Sequence, residues 1–364
     1  MPVLAAFFND LDPVLIGPFF GSLAIRWYGL AYVAGFACAW IVMSQLAKRG
    51  LIGIPRERVG DAIMTLIVGT IVGGRIGYAL FYRPSLFIEF DNALPFWGLL
   101  KIHQGGMASH GGMIGLAVAA WWVARRHALP TLHVVDVLCL TGPIGIVFVR
   151  TANFINGELL GRVVAQPGEK APWWAVKYPT ELLERPMNVA DPEQREARLW
   201  RLVESNNLIL PGETADDAIR RLLEQIRAGN DKLIQQVEPL ITARHPTQFY
   251  QAFAEGVLIL IVLWSIWSVP RRPGIIAAWF FSLYGVGRII TEIWRLPDAD
   301  IPAPIIAGLS RGQWLSVGLV IVGLALFASV RRKDAEPVGG WRRRNPVWNE
   351  RAEKRDDARG APSP

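Results

Sequence analysis

Charge is scarce over most of this chain: charged residues make up 19% of its 364 residues, below the roughly 25% of soluble domains. They are also unevenly placed. Residues 157–245 hold 26 of the 69 charges and residues 331–364 hold 16, so the other 241 residues carry only 27, too few to coat a water-facing surface. Cysteine is scarcer still. Cys38 and Cys139 both lie inside apolar blocks, which excludes a disulfide framework or a Cys/His zinc site and leaves them as small apolar side chains. The 5 histidines lack zinc-motif spacing, and no internal repeat is present. No basic residue precedes Arg26, acidic Asp10 and Asp12 stand before the first apolar block, and no small-residue cleavage site follows it. A cleaved signal peptide is therefore not expected. The net charge of +7 would suit nucleic acid, but the basic excess flanks apolar blocks and fills the tail, a pattern that membrane orientation explains better.

What the chain does have is apolar blocks of about 20 residues, the length that crosses a hydrocarbon core of roughly 30 Å. Seven are present, at about 24–46, 61–82, 105–124, 132–150, 249–269, 274–294 and 313–330. They read as helices, because a lone strand leaves its backbone unsatisfied in lipid. The expected fold is an all-α polytopic membrane protein of about seven transmembrane helices with a small extracytoplasmic head. Leaving out the long polar segment, one side has 18 Lys and Arg, among them Lys48, Arg49, Arg125, Arg126, Arg271, Arg272 and ten in the tail. The other side has 4: Arg83, Lys101, Arg295 and Arg311. This places the N-terminus outside and the tail in the cytoplasm. The expected organisation is helices 1–4 in 1–156, an extracytoplasmic head in 157–245, helices 5–7 in 246–330 and a basic, disordered cytoplasmic tail in 331–364. Within the head, 213–226 has an acidic start and apolar residues at helical spacing, which predicts a surface helix. Trp173 and Trp174 fit either an interfacial anchor or packing inside the head.

Ionisable groups inside spans cost at least about 2.5 kcal/mol each on insertion scales, so each needs a partner or a task. Arg75, Asp136, Arg150, Arg288 and Glu292 are such groups. Asp136 fits an interfacial position or a structural partner equally. Arg288 and Glu292 are four apart on one helical face, where an ion pair forms, and Arg295 continues that face. A self-neutralising pair would suffice for insertion. Arg150, near the same outer leaflet, favours a phosphate site instead, because converging guanidinium groups offer planar, bidentate, permanently charged donors. In VRTANFINGELLGR (149–162), Arg150 and Asn153 share a helical face, Asn156 and Gly157 look like a helix end, and Glu158 and Gly161 follow. In KIHQGGMASHGGMIG (101–115), Gly111 and Gly112 allow a backbone or a head group to come close. His110 is the natural proton acceptor there near neutral pH, although a lone histidine is more often structural. His103 is a weaker candidate; His127 and His133 are assigned no role.

These motifs resemble one family, the prolipoprotein diacylglyceryl transferases of bacterial inner membranes. RWYGLAY (26–32), GGRIGYALFY (73–82), HQGGMASHGGMIG (103–115), VRTANFINGELLGR (149–162), RHPTQFYQAFAEG (244–256) and YGVGRIITEIWRLPDA (284–299) follow the family's order. With the seven blocks they cover most of residues 20–330. There are departures: Val149 replaces the usual glycine before the signature arginine, and the head and the tail look longer than in compact members.

The resemblance implies transfer of the diacylglyceryl group from phosphatidylglycerol to the lipobox cysteine thiol of a prolipoprotein signal peptide, giving a thioether and glycerol-1-phosphate. It implies a multi-pass inner-membrane enzyme with no metal or organic cofactor and no nucleic acid partner. The candidate catalytic residues are His110 as base for the thiol, Arg150 and Arg288 at the phosphate oxygens, and Glu292 orienting Arg288. By motif position, Tyr28, Asn153, Glu158, Gly161 and Glu292 match residues tied to activity or substrate binding, Arg150 also binds substrate, and Tyr284, Arg295 and His245 are second to them. The rival class is a transporter or binding protein for an anionic solute or lipid. Against it stand the missing repeat and the clustering of polar motifs at span ends rather than at mid-membrane.

Overall fold

The structure is a computed structural model that describes residues 6–17, 19, 24–92, 95–102, 105–184, 189–296, 308–332 and 334–342. In chain order, strands β1 (Phe7–Phe8), β2 (Val14–Ile16) and β3 (Ile25–Arg26) precede helices α1 (Trp27–Lys48), α2 (Val59–Phe81), α3 (Ser109–His127) and α4 (Thr131–Asn156). Then come β4 (Val163–Ala165), β5 (Val176–Lys177), α5 (Glu181–Glu184), α6 (Pro192–Ser205), α7 (Ala215–Arg227), α8 (Asp231–Val237) and β6 (Ala243–Arg244). A helical run of α9 (Thr247–Gln251), a π-helical turn Ala252–Leu258 and α10 (Ile259–Ile266) leads to α11 (Ile275–Thr291) and α12 (Arg311–Arg332).

Among the described residues, five helices are long and apolar enough to cross a membrane: Trp27–Lys48, Arg56–Phe81, Thr131–Asn156, Thr247–Ile266 and Gly312–Arg332. The apolar blocks 105–124 and 274–294 also fold as helices, but neither joins those five. In α3 the closing Arg125, Arg126 and His127 dilute the apolar run, and α11 has 17 residues because the chain turns after Thr291. Side chains such as Val72, Ile76 and Leu80 on α2, and Ile321, Val322 and Leu324 on α12, stay exposed, as an outer surface that meets lipid requires.

The chain divides into two compact units. One comprises 1–35, 143–259 and 282–321. Its four-stranded sheet has the order β1-β5-β6-β4, with β1 parallel to β5 and the other pairs antiparallel. β1 thus joins the N-terminal residues to the segment after α4. Helices α5–α8 close over a core of Leu199, Val203, Leu222, Leu223, Ile226, Leu233 and Val237. The expected helix at 213–226 is α7. Thr214 and Asp217 form a reciprocal capping box at its start, which satisfies backbone donors that a helix start leaves open. Beneath it, Glu181 is fully buried and accepts from Arg195 Nη2 at 2.7 Å and Arg244 Nε at 2.7 Å.

The other unit comprises 36–142, 260–281 and 322–364. Here α2 and α3 pack backbone to backbone, since a Cβ on Gly73 would stand 2.5 Å from the Gly111 carbonyl oxygen. Of the two approaches Gly111 allows, it receives a neighbouring backbone, the close packing that small residues permit between apolar helices. Asp136 is buried and accepts from the Gly274 and Ala277 backbone N–H groups at 2.7 Å each; it caps the start of α11 and is a structural partner. Arg75 donates to the carbonyls of Gly98, Leu99, Lys101, Gly105 and Gly106, so its task is to shape the loop before α3. Part of the expected disordered tail is ordered. Val338 is buried and bridges Arg271, and the Trp341 indole donates to the Trp264 carbonyl at 3.0 Å. Apolar side chains within the charged run give that stretch something to bury; residues 343–364 lie outside the described residues.

Candidate active site

The polar residues of the signature run gather at the end of α4. The helix stops at Asn156, and Gly157 turns left-handed with φ +66°, the helix end expected there. The turn brings Glu158 back, so that Asn153 Nδ2 donates to one carboxylate oxygen at 2.9 Å and Asn156 Nδ2 to the other at 3.0 Å. Residues 160–162 then run extended between two neighbours: Arg162 N donates to Trp294 O at 2.8 Å and Leu296 N to Leu160 O at 2.9 Å, while His245 N donates to Arg162 O at 3.1 Å. Gly161 lies at the tightest point. Its φ is not positive, but any Cβ would collide with the His245 carbonyl, so the glycine is required by space rather than by dihedral angle.

Arg150, one turn before Asn153, donates through Nη2 to Glu255 Oε2 at 3.1 Å. The other Glu255 oxygen faces Arg288 Nη1 at 3.6 Å and accepts from Thr291 Oγ1 at 2.9 Å. Arg288 Nη2 reaches Glu292 Oε2 at 2.9 Å, and Arg295 Nη1 reaches the same oxygen at 3.7 Å. The result is one alternating chain, Arg150, Glu255, Arg288, Glu292, Arg295, drawn from α4, the π-helical turn, the end of α11 and the turn that follows it. Tyr284 lies within the electrostatic reach of Glu255, Arg150 and Arg288. Tyr28 packs edge-to-face on Tyr32 at 5.2 Å, and Tyr32 lies within the electrostatic reach of Arg150 and Glu158. Two buried donors, Arg150 Nε and Arg288 Nη1, find no hydrogen-bond acceptor among the described residues. Buried guanidinium donors left open are costly unless something accepts from them, and an anion is the complementary ligand.

The first unit thus gathers ten of the sequence-predicted residues: Tyr28, Arg150, Asn153, Glu158, Gly161, His245, Tyr284, Arg288, Glu292 and Arg295. His245 stands at the far side of Gly161, with Nδ1 3.2 Å from the Tyr250 hydroxyl and its ring 5.1 Å from that of Trp174. Burial pushes its imidazole below the ordinary histidine value. Trp174 thus touches the His245 ring while remaining exposed itself, and Trp173 is exposed more fully. His110 belongs to the second unit, as an exposed residue in the first turn of α3. It has no part in the arginine–carboxylate chain. His103 lies outside the described residues.

The family model for prolipoprotein diacylglyceryl transferase matches residues 13–329. The chain belongs to this family. Among relatives named phosphatidylglycerol--prolipoprotein diacylglyceryl transferase, the protein of Bdellovibrio bacteriovorus is 40% identical over 353 residues, 92% of this chain and 97% of that protein. The Xanthomonas oryzae pv. oryzae protein is 34% identical, covering 90% of this chain and 93% of its own length. The Neisseria gonorrhoeae protein is 33% identical, covering 88% and 95%. Three of the motifs quoted from the sequence, 149–162, 244–256 and 284–299, supply the chain of arginines and carboxylates, but one member escaped the sequence reading. Glu255 lies within RHPTQFYQAFAEG, and only the helical register of the π turn turns it inward. Its signal was present all the same, as an isolated carboxylate within an apolar block.

Proposed function

We propose that this enzyme transfers the diacylglyceryl group of phosphatidylglycerol to the lipobox cysteine thiol of prolipoprotein signal peptides, forming a thioether and releasing glycerol-1-phosphate. The observation that carries the reading is the pair of buried guanidinium donors, Arg150 Nε and Arg288 Nη1, that have no hydrogen-bond acceptor among the described residues, in a chain whose family relatives are named for this reaction. A phosphodiester is a singly charged anion with oxygens suited to both. In the reaction the cysteine thiol loses its proton, its sulfur bonds to the terminal glycerol carbon of the diacylglyceryl group, and the C–O bond to phosphate breaks. Charge builds on the departing phosphate oxygen, where fixed guanidinium donors stabilise it.

In this reading Arg150 and Arg288 hold the phosphate and Glu292 orients Arg288. Arg295, Tyr284 and Tyr28 line the donor site, and Asn153, Glu158 and Gly161 shape the loop beside it. His245 supports that loop through its contacts with Tyr250 and Trp174. His110 is the candidate acceptor of the thiol proton, since thiolate rather than thiol is the nucleophile. Seven helices span the inner membrane, with the N-terminus and the head of 157–245 on the periplasmic side and the tail in the cytoplasm. The pairing of β1 with β5 supports a common side for N-terminus and head, and the Lys/Arg asymmetry supports the direction. Both substrates reach the site from within the membrane.

Replacing one charge-stabilising donor typically costs about 10²–10³-fold in turnover. Arg150→Ala and Arg288→Ala are each expected to lose at least that much in transfer to a lipobox peptide while folding and accumulating normally. Unchanged turnover in either variant removes that arginine from the mechanism.

A further inference from the structure

Glu255 is fully buried and stands between two arginines. The π-helical turn that carries it, Ala252–Leu258, is packed against α4 at Gly256, where a Cβ would stand 2.5 Å from Val147 Cγ2. Gly287 of α11 leaves its own space beside the Glu255 side chain. A π turn is less favourable than an α-helical one and recurs at functional sites, and here it aims a single carboxylate at both guanidinium groups. Thr291 Oγ1 holds the carboxylate from a third direction.

The alternating chain contains three cations, Arg150, Arg288 and Arg295, and two anions, Glu255 and Glu292, which leaves one net positive charge. Glu158, exposed and tied to Asn153 and Asn156, stands outside it. A phosphodiester lipid carries one negative charge and neutralises such a site. The monoester released on transfer carries about 1.5–2 negative charges at pH 7 and overfills it. In a buried site such an imbalance is weakly screened.

On the reading of the reaction given above, we propose that Glu255 is a positioning residue and fixed counter-charge, holding the arginine site at one net positive charge so that it accepts a singly charged phosphodiester and expels the more highly charged monoester. The test compares the native enzyme with E255Q, E255N and E255D in detergent with phosphatidylglycerol and a lipobox peptide. Initial rates are read with and without added glycerol-1-phosphate, and binding of that monoester to each folded protein is measured by equilibrium dialysis. Neutralising one buried carboxylate is expected to tighten monoester binding about tenfold, to lower kcat by a similar factor and to leave KM for the lipid unchanged or lower. E255D keeps the charge and is expected to keep the native monoester affinity. A merely structural role for Glu255 would weaken monoester binding in E255Q or E255N, or leave it as it is, and either result overturns the proposal. Failure of the native enzyme to transfer lipid, by contrast, overturns the reading of the reaction itself.

Discussion

At the level of single residues, Gly161 and His245 illustrate how a backbone constraint and a side-chain environment meet. Gly161→Ala would press a methyl group against the His245 carbonyl; backbone has no room to yield there, because residues 160–162 are hydrogen-bonded on both sides. Overpacking of this kind costs about 1–3 kcal/mol. The variant is expected to melt at lower temperature and to lose transfer activity together with it, and a native melting curve would contradict the account. The His245 imidazole is held below the ordinary histidine value by burial, so the folded protein binds fewer protons there than the unfolded chain does. Its contribution to stability is complete above the unfolded value of about 6.5 and is lost as pH falls through the depressed folded value. NMR titration of its ring should give a midpoint below 6.5, and a midpoint above that would mean an unrecognised anionic partner.

At the level of elements, the sequence pattern shows clearly what repeats and poorly what depends on distant partners. Five of the seven apolar blocks were legible as span-length helices because each is a long apolar run, and α7 because its acidic start and apolar spacing are local; Thr214 and Asp217 then fix its first residue. The six short strands among the described residues were not legible. None exceeds three residues, and each exists because another part of the chain pairs with it, as β1 does with β5 across most of the first unit. The inward aim of Glu255 was hidden for a related reason: an α-helical count along 247–266 misplaces a side chain carried on a π turn. Arg150, Arg288 and Glu292 were visible because a charge in an apolar block is conspicuous without any knowledge of its partners. Glu181, in the polar segment, was not conspicuous, yet it is fully buried between Arg195 and Arg244. Breaking a buried pair costs about 3–5 kcal/mol. Glu181→Gln is therefore expected to destabilise the α5–α8 region by that order, read as a lower denaturant midpoint for Trp200 fluorescence. An unshifted midpoint would show that the carboxylate is dispensable.

For the whole molecule, the proposed orientation sets the polar segment of an integral membrane protein on one side of the membrane and the basic connections on the other. Glu224 on α7 and Arg125 on α3 are both exposed, so each tolerates conversion to a reporter cysteine. In spheroplasts, Glu224→Cys is expected to react with a membrane-impermeant maleimide and Arg125→Cys only after lysis. The reverse pattern would invert the orientation and with it the side on which substrate is met. The central claim is the reaction, and one measurement addresses it most directly: mass spectrometry of a lipobox peptide incubated with the purified protein and phosphatidylglycerol, beside a peptide with serine in place of the cysteine. The account predicts a diacylglyceryl mass gain on the cysteine peptide alone, resistant to mild base as a thioether is, with glycerol-1-phosphate released. A folded, lipid-supplied preparation that leaves the cysteine peptide unmodified would contradict it.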